Sequence, residues 1–387
     1  MSADSPLRSR LAARLSEWEG AGLLRTLRPP AGIDLSSNDY LDLSRHPRIV
    51  EAFTRAASRD GVGSTGSRLL RGEREAFAAI EQRFAAWKGS ERALYFSSGY
   101  LANLALLTTI TEAGDVIFSD ALNHASLIDG ARLSRAGRVV FPHNDAARLD
   151  ALLRSTPCAG LRFVVVESVF SMDGDLAPLA TIEAVCRTHG ATLIVDEAHA
   201  VGLFGDRGTG VIEAAGLDAG QCLSINTAGK ALGVAGAFVS GPAVVIDYLV
   251  QRARPFVFST AAPPAVADAI AASLDVVAEE PERRARVHAL SAHMRRQLRA
   301  AGITVPAEGS QIVPVLVGDN QKAVAVAARL VAAGFDVRAI RPPSVPEGTA
   351  RLRLSINAGL DEGILNRCAD AVASAFQEVG LCSAVSS

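Results

Sequence analysis

The sequence predicts an α/β fold: a large domain on a mainly parallel seven-stranded sheet, then a smaller C-terminal α+β domain. Three observations carry this. Seven short apolar runs fall at residues 93–96, 116–118, 139–141, 163–167, 192–196, 223–226 and 236–239, several of them separated by helical patterns such as 74–87, 101–110 and 179–188. Such alternation suits a parallel sheet covered by helices. The runs are apolar throughout, as strands buried on both faces require. Past Glu279-Glu280-Pro281-Glu282 the composition turns charged and the pattern changes.

Taken in order, residues 6–21 read as an amphipathic helix and 33–40 as an extended piece. A helix follows from Pro47, where proline suits a first turn. The large domain is expected over 46–280, after an N-terminal segment of 1–45. The C-terminal domain, 281–387, opens with a long helix rich in Arg, Ala and Leu. A strand at 312–317, a helix at 321–333, a short strand at 336–340, a proline-bearing loop and a strand at 350–356 complete it. No internal repeat or low-complexity segment is present.

Composition narrows the function classes. Apolar residues make up 49% of the 387 and charged residues 21%, as in an ordinary globular enzyme. A net charge of −2 offers no basic field for nucleic acid or an anionic membrane. No run of about 18 apolar residues suggests a membrane span. Acids mixed with arginines near the start (Asp4, Glu17, Glu19) are unlike a signal or transit peptide, so a cytoplasmic protein is expected. Cys158, Cys186, Cys222, Cys368 and Cys382 form no CxxC pair and read as reduced thiols, with no metal site.

Of 39 cationic side chains only three are lysines: Lys88, Lys230 and Lys322. Lys230 sits in Asn226-Thr227-Ala228-Gly229-Lys230-Ala231-Leu232-Gly233, small and uncharged around it, where a surface lysine in a turn is the plainer alternative. Upstream, Val195-Asp196-Glu197-Ala198-His199 ends an apolar run. An imine-forming lysine and a carboxylate able to hold a pyridinium proton are what pyridoxal phosphate chemistry requires. An acid at the end of a buried strand lies where open α/β sheets bind ligands, although alone it also fits a helix cap or salt bridge. His199 could donate to a ring phenolate oxygen. Ser97-Ser98-Gly99-Tyr100, between strand and helix, could form an anion site. In Asn123-His124-Ala125-Ser126 the imidazole could stack on a pyridine face. Gly61-Val62-Gly63-Ser64-Thr65-Gly66 matches a dinucleotide fingerprint, but a helical stretch precedes it. It is read as a flexible loop near the site, against nicotinamide binding.

Together these stretches resemble the α-oxoamine synthases, a group of fold-type-I pyridoxal-phosphate enzymes. The match extends to Ser36-Ser37-Asn38-Asp39-Tyr40-Leu41, Gly66-Ser67-Arg68, Glu167-Ser168-Val169-Phe170-Ser171-Met172-Asp173-Gly174-Asp175 and Phe258-Ser259-Thr260. Within the group, Val317-Gly318-Asp319-Asn320 and the stretch from Ile340 to Leu354 are most similar to members that condense L-alanine with a pimeloyl thioester. The resemblance implies that Lys230 holds pyridoxal 5'-phosphate as an imine, with Asp196 at the ring nitrogen and His199 at the phenolate. It implies His124 on the ring face and Ser171 near its polar edge. Ser98, Gly99, Tyr100 and Thr227 would contact the phosphate, with Thr260 from a neighbouring subunit of a homodimer. Arg353 would grip the amino-acid carboxylate, where a bidentate fork fits. Asn38, His124, Arg25, Arg341 and Ser344 would line the substrate side, the acyl donor being pimeloyl-CoA or a pimeloyl carrier protein. The chain departs from the family pattern at Thr65 and Ser344, where glycine and threonine are usual, and in the stretch Ala200-Val201-Gly202. Sibling activities, such as a 2-amino-3-ketobutyrate ligase, and a non-catalytic regulator that binds the same cofactor remain as alternatives.

Overall fold

The computed structural model describes residues 5–381, so Cys382 lies outside the described residues. The chain divides into two compact units. The larger holds Asn38–Ser171 and Asp175–Val287; the smaller holds His288 onward, the N-terminal segment through Ser37 and Met172–Gly174. The division falls inside the helix Glu282–Ala300.

The larger unit is built on a seven-stranded sheet. Its strands are β1 (Arg92–Phe96), β2 (Val116–Asp120), β3 (Gly137–Phe141), β4 (Arg162–Glu167), β5 (Thr192–Asp196), β6 (Leu223–Thr227) and β7 (Ala237–Gly241). They lie in the order β1-β7-β6-β5-β4-β2-β3. Only β7 runs against its neighbours, and because it is antiparallel to both β1 and β6, the other six strands point one way. The mainly parallel sheet expected from the sequence is therefore present. Alternate side chains go to opposite faces: Val165, Ile194 and Ile225 join one core with Leu106, while Val164, Val195 and Phe118 join another with Ile182. The expectation of burial on both faces fails at β3. Val140 is 65% exposed there, because β3 is the sheet edge with a neighbour on one side only.

Two polar ties anchor this unit. Helix α1 (Glu75–Lys88) ends on Lys88, which is fully buried. Its ammonium pairs with Glu197 and donates to the Thr209 carbonyl at 2.6 Å, while Ile212 N–H donates to the other Glu197 oxygen at 3.0 Å. The second tie is His143. Its Nδ1 lies 3.0 Å from Asp120 and its Nε2 2.8 Å from Asp175. Carboxylates only accept, so both ring nitrogens donate and the ring is an imidazolium. Burial opposes that charge, but hydrogen bonds to the two acids prevail and push the pKa up to about 10.

The smaller unit carries an antiparallel sheet of β8 (Ile312–Gly318), β9 (Ala339–Ile340) and β10 (Ala350–Ser355), in the order β9-β10-β8. Helices Asn320–Ala332 and Glu362–Glu378 cover it through Val326, Leu330, Leu365 and Val372. The single short strand expected at 336–340 is instead two pieces. Phe335–Asp336 pairs in parallel with Ile33–Asp34, whereas β9 joins β10, so the chain changes sheets between them. The N-terminal helix Pro6–Gly20 buries none of its residues, and Leu7, Leu11, Leu15 and Trp18 stay exposed. No helix among the described residues is long and apolar enough to cross a membrane.

Replacing Lys88 by Met should destabilise the protein by about 3–5 kcal/mol, read from the urea midpoint, because Glu197 is left buried and unpaired. Adding Glu197→Leu should recover most of that loss. For His143 the folded pKa is raised, so its contribution is complete below about pH 6.5 and is lost as pH rises towards about 10. The stability gap between the protein and His143→Gln should therefore narrow steadily over that range; a gap that widens with pH would contradict the ion-pair reading.

Candidate active site

Six strands point the same way, so their C-terminal ends share one edge of the sheet. The chemically capable residues cluster just beyond those ends: Ser98–Tyr100 after β1, His124 after β2, Ser171 after β4, Asp196 and His199 at β5, and Lys230 after β6. This is where an open α/β sheet offers backbone groups to a ligand.

Lys230 is presented by a closed loop. Ala228 N–H donates to the Gly236 carbonyl at 2.8 Å, Val234 N–H to Ala228 at 2.9 Å, and Gly233 N–H to Lys230 at 2.8 Å. Gly233 and Gly236 have φ of 67° and 84°. A Cβ on Gly233 would stand 2.6 Å from Ser44 N, and one on Gly236 2.0 Å from the Tyr95 hydroxyl oxygen, so both positions demand glycine. The Lys230 Nζ lies 2.9 Å from His199 Nε2, and His199 Nδ1 lies 2.7 Å from the Tyr40 hydroxyl. That hydroxyl also donates to Asn38 Oδ1 at 2.9 Å.

Asp196 is buried at the end of β5. Its Oδ1 accepts Ala198 N–H at 2.9 Å and its Oδ2 accepts Asn103 Nδ2 at 2.8 Å. The sheet register sets Glu167 beside it on β4. Burial first, and then the Asp196 charge, push the Glu167 pKa up to about 8; Lys230 and the Ser171 and His124 backbone N–H groups oppose this. Glu167 thus holds its proton at neutral pH. His124 keeps accessible surface, yet desolvation by surrounding protein lowers its pKa, with Asp196 opposing and Lys230 reinforcing.

Helix α2 (Gly99–Ile110) begins beside Thr227: a Cβ on Gly99 would meet the Thr227 side chain at 3.9 Å. The first-turn N–H groups of α2 have no helical acceptor and suit an anion, while the Thr227 hydroxyl beside them donates to the Gly236 carbonyl at 3.1 Å. Ser98 caps this helix, its Oγ accepting Leu101 N–H at 3.3 Å, and the Tyr100 hydroxyl donates to Asp129 at 2.5 Å. Thr260 lies with Ser97 and Arg68 around a recess near the start of the helix. An amine, a buried carboxylate, two imidazoles and an anion cradle are a donor set matching a phosphorylated pyridine aldehyde. The glycine-rich stretch 61–66 follows the helix Pro47–Asp60, not a strand. It is held by Ser64 to the Ala262 carbonyl and by Gly66 to Ala261 N–H. Thr65 has φ 58°, in the left-handed region that glycine adopts most easily.

The remaining predicted residues belong to the smaller unit. Arg25 donates to the Pro342 carbonyl at 3.2 Å, and Arg341 donates to the Gly22 and Leu24 carbonyls, so these two arginines are brought together. Burial, with Arg25 and Arg28 nearby, lowers the Arg341 pKa. Ser344 N–H closes a turn onto the Arg341 carbonyl at 3.1 Å. Arg353 is buried on β10, with Nη1 donating to Ser355 Oγ at 3.0 Å. Sequence reasoning did not single out Glu167, Tyr40, Asn103 or Ser126 as site residues. For Glu167 the signal was available, since it too is an acid ending a buried strand.

The aminotransferase class I and II family matches residues 30–372. The 8-amino-7-oxononanoate synthases of Burkholderia pseudomallei (strain 1710b) and Burkholderia mallei (strain SAVP1) are each 51% identical over 332 residues, 84% of this chain and of theirs. Among solved structures, Sphingomonas wittichii serine palmitoyltransferase matches with a TM-score of 0.91 at 32% identity, over 99% of this chain and 100% of that one. The S. paucimobilis serine palmitoyltransferase with a bound PLP-myriocin aldimine gives 0.90 at 30%, over 99% and 100%. The Francisella tularensis 8-amino-7-oxononanoate synthase gives 0.78 at 27%, over 90% and 98%. A sheet edge that presents one lysine opposite a buried aspartate, in a chain half identical to these synthases, has one consistent explanation: the protein belongs to the α-oxoamine synthase family of fold-type-I pyridoxal-phosphate enzymes.

Proposed function

We propose that this chain condenses L-alanine with a pimeloyl thioester, releasing CO2 and the free thiol carrier, to give 8-amino-7-oxononanoate for biotin synthesis. The observation that carries the chemistry is Lys230 Nζ at 2.9 Å from His199, on the sheet edge that also holds Asp196. The 51% identity to the Burkholderia synthases supports the choice of substrates. Pyridoxal phosphate is the cofactor; when bound, its protonated ring accepts the electron pair released at the amino-acid Cα.

The chain's own residues divide the remaining work. Lys230 would hold the cofactor through Nζ, and the same amine would move the amino-acid Cα proton as general base. Asp196, whose two oxygens each accept one hydrogen bond, would pair with the ring nitrogen. His124 packs on the ring face, and His199 and Ser171 serve the phenolate edge. The start of α2 (Ser98, Gly99, Tyr100) and Thr227 hold the phosphate. Arg353 takes the alanine carboxylate, and Asn38, Arg25, Arg341 and Ser344 face the acyl substrate. Thr260 acts in the site of a second copy; Phe258, two residues away and 73% exposed, supports burial of that segment in a homodimer.

The serine palmitoyltransferases among the structural matches make serine the amino acid to compare. Supplied with pimeloyl-CoA and L-alanine, L-serine or glycine, the enzyme should release product from alanine at least about tenfold faster, a difference of about 1.4 kcal/mol in the barrier. A preference for serine or glycine would move it to a sibling activity. Lys230→Ala should lose at least about 100-fold in turnover while still binding the cofactor, as expected when a general base is removed. Near-normal product formation by that variant would contradict the assignment.

A further inference from the structure

Two residues outside the assigned set connect His124 to Asp196. Asn103, buried on α2, donates through Nδ2 to Asp196 Oδ2 at 2.8 Å and to Ser126 Oγ at 2.8 Å. The carboxylate only accepts, so the amide nitrogen, not its oxygen, must face it, and its two hydrogens serve one partner each. Ser126 is fully buried in the first turn of the helix Ala125–Leu133. Its Oγ accepts from Asn103, which leaves the hydroxyl hydrogen free for His124 Nδ1 at 2.7 Å. The Ser126 backbone N–H also points at Nδ1, at 3.2 Å. A backbone N–H can only donate, so Nδ1 carries a lone pair and the ring proton sits on Nε2.

We propose that Asn103 and Ser126 are positioning residues: a hydrogen-bonded relay that locks His124 as the neutral Nε2–H imidazole and orients the Asp196 carboxylate, so that both are set together. For its catalytic consequence this rests on the cofactor reading above; the tautomer does not. An imidazole kept neutral adds no positive charge beside a protonated pyridine ring. The charged and titratable groups around His124 are Asp196, Lys230, Asp129 and Glu167. None of them accepts a proton from Nδ1 in place of Ser126.

The relay is tested by 15N NMR of the imidazole nitrogens in the cofactor-free protein, with His124→Gln used to assign the signal. The unaltered protein should show one tautomer, Nε2–H, between about pH 7 and 8, above an ordinary histidine pKa. In Ser126→Ala the residue-126 N–H still faces Nδ1 and keeps Nε2–H the main tautomer, but in both Ser126→Ala and Asn103→Leu the titration should be displaced upward by about one pH unit. Cofactor affinity, measured by absorbance titration, should weaken up to about tenfold in both, the upper scale of one buried hydrogen bond. The acid limb of kcat/KM should move upward with the imidazole titration, which a purely structural role would not produce. Wild-type titration and cofactor affinity in Ser126→Ala would overturn the proposal. That variant removes a single oxygen, so it decides even if Asn103→Leu does not fold. An upward-shifted titration in both variants, in a protein that binds no pyridoxal phosphate, would support the relay and refute the cofactor reading instead.

Discussion

The constraint on which the site depends is the placing of one negative charge at the end of a strand buried in an apolar sheet. An isolated carboxylate there would be neutral. Asp196 remains an acceptor because Ala198 N–H and Asn103 each donate to it. Glu167, its neighbour across the ladder, takes the opposite solution and keeps its proton up to about pH 8. Glu197, the next residue along, turns away to a cation of its own, Lys88. Three acids within one small region thus have three different surroundings, and Asp196 is the one whose two oxygens are both held by N–H donors at the end of β5.

Lysine placement answers the same constraint. Lys88 is fixed inside the core by Glu197 and Thr209, and Lys322 lies exposed on the helix Asn320–Ala332. Lys230 alone stands at the sheet edge, held out by a loop whose two left-handed glycines permit it to close against Leu43, Ser44 and Tyr95. His199, oriented from behind by Tyr40, meets its amine. The rigid part is the sheet; the chemistry sits on the short connections leaving it, as in other open α/β folds.

Much of this was legible in the sequence because it is local. Strand-helix alternation identified the sheet, and the small residues around Lys230 and the acid ending β5 identified the chemistry. What was hidden depends on partners far apart in the chain. Tyr40 meets His199 across 159 positions and Lys88 meets Glu197 across 109, so no spacing rule connects them. Asn103 reads as one polar residue in an apolar helix until the fold brings Asp196 to it. The exposure of β3 and the change of sheet between Asp336 and Ala339 are matters of strand order, which periodicity does not encode.

The central claim, that Lys230 and no other lysine carries the cofactor, can be read directly because only three lysines exist. The protein would be incubated with pyridoxal phosphate, reduced with borohydride, digested and analysed by mass spectrometry for pyridoxyl-lysine. The account predicts one modified peptide, bearing its label on Lys230. A label confined to Lys322 or Lys88, or no label at all, would contradict it.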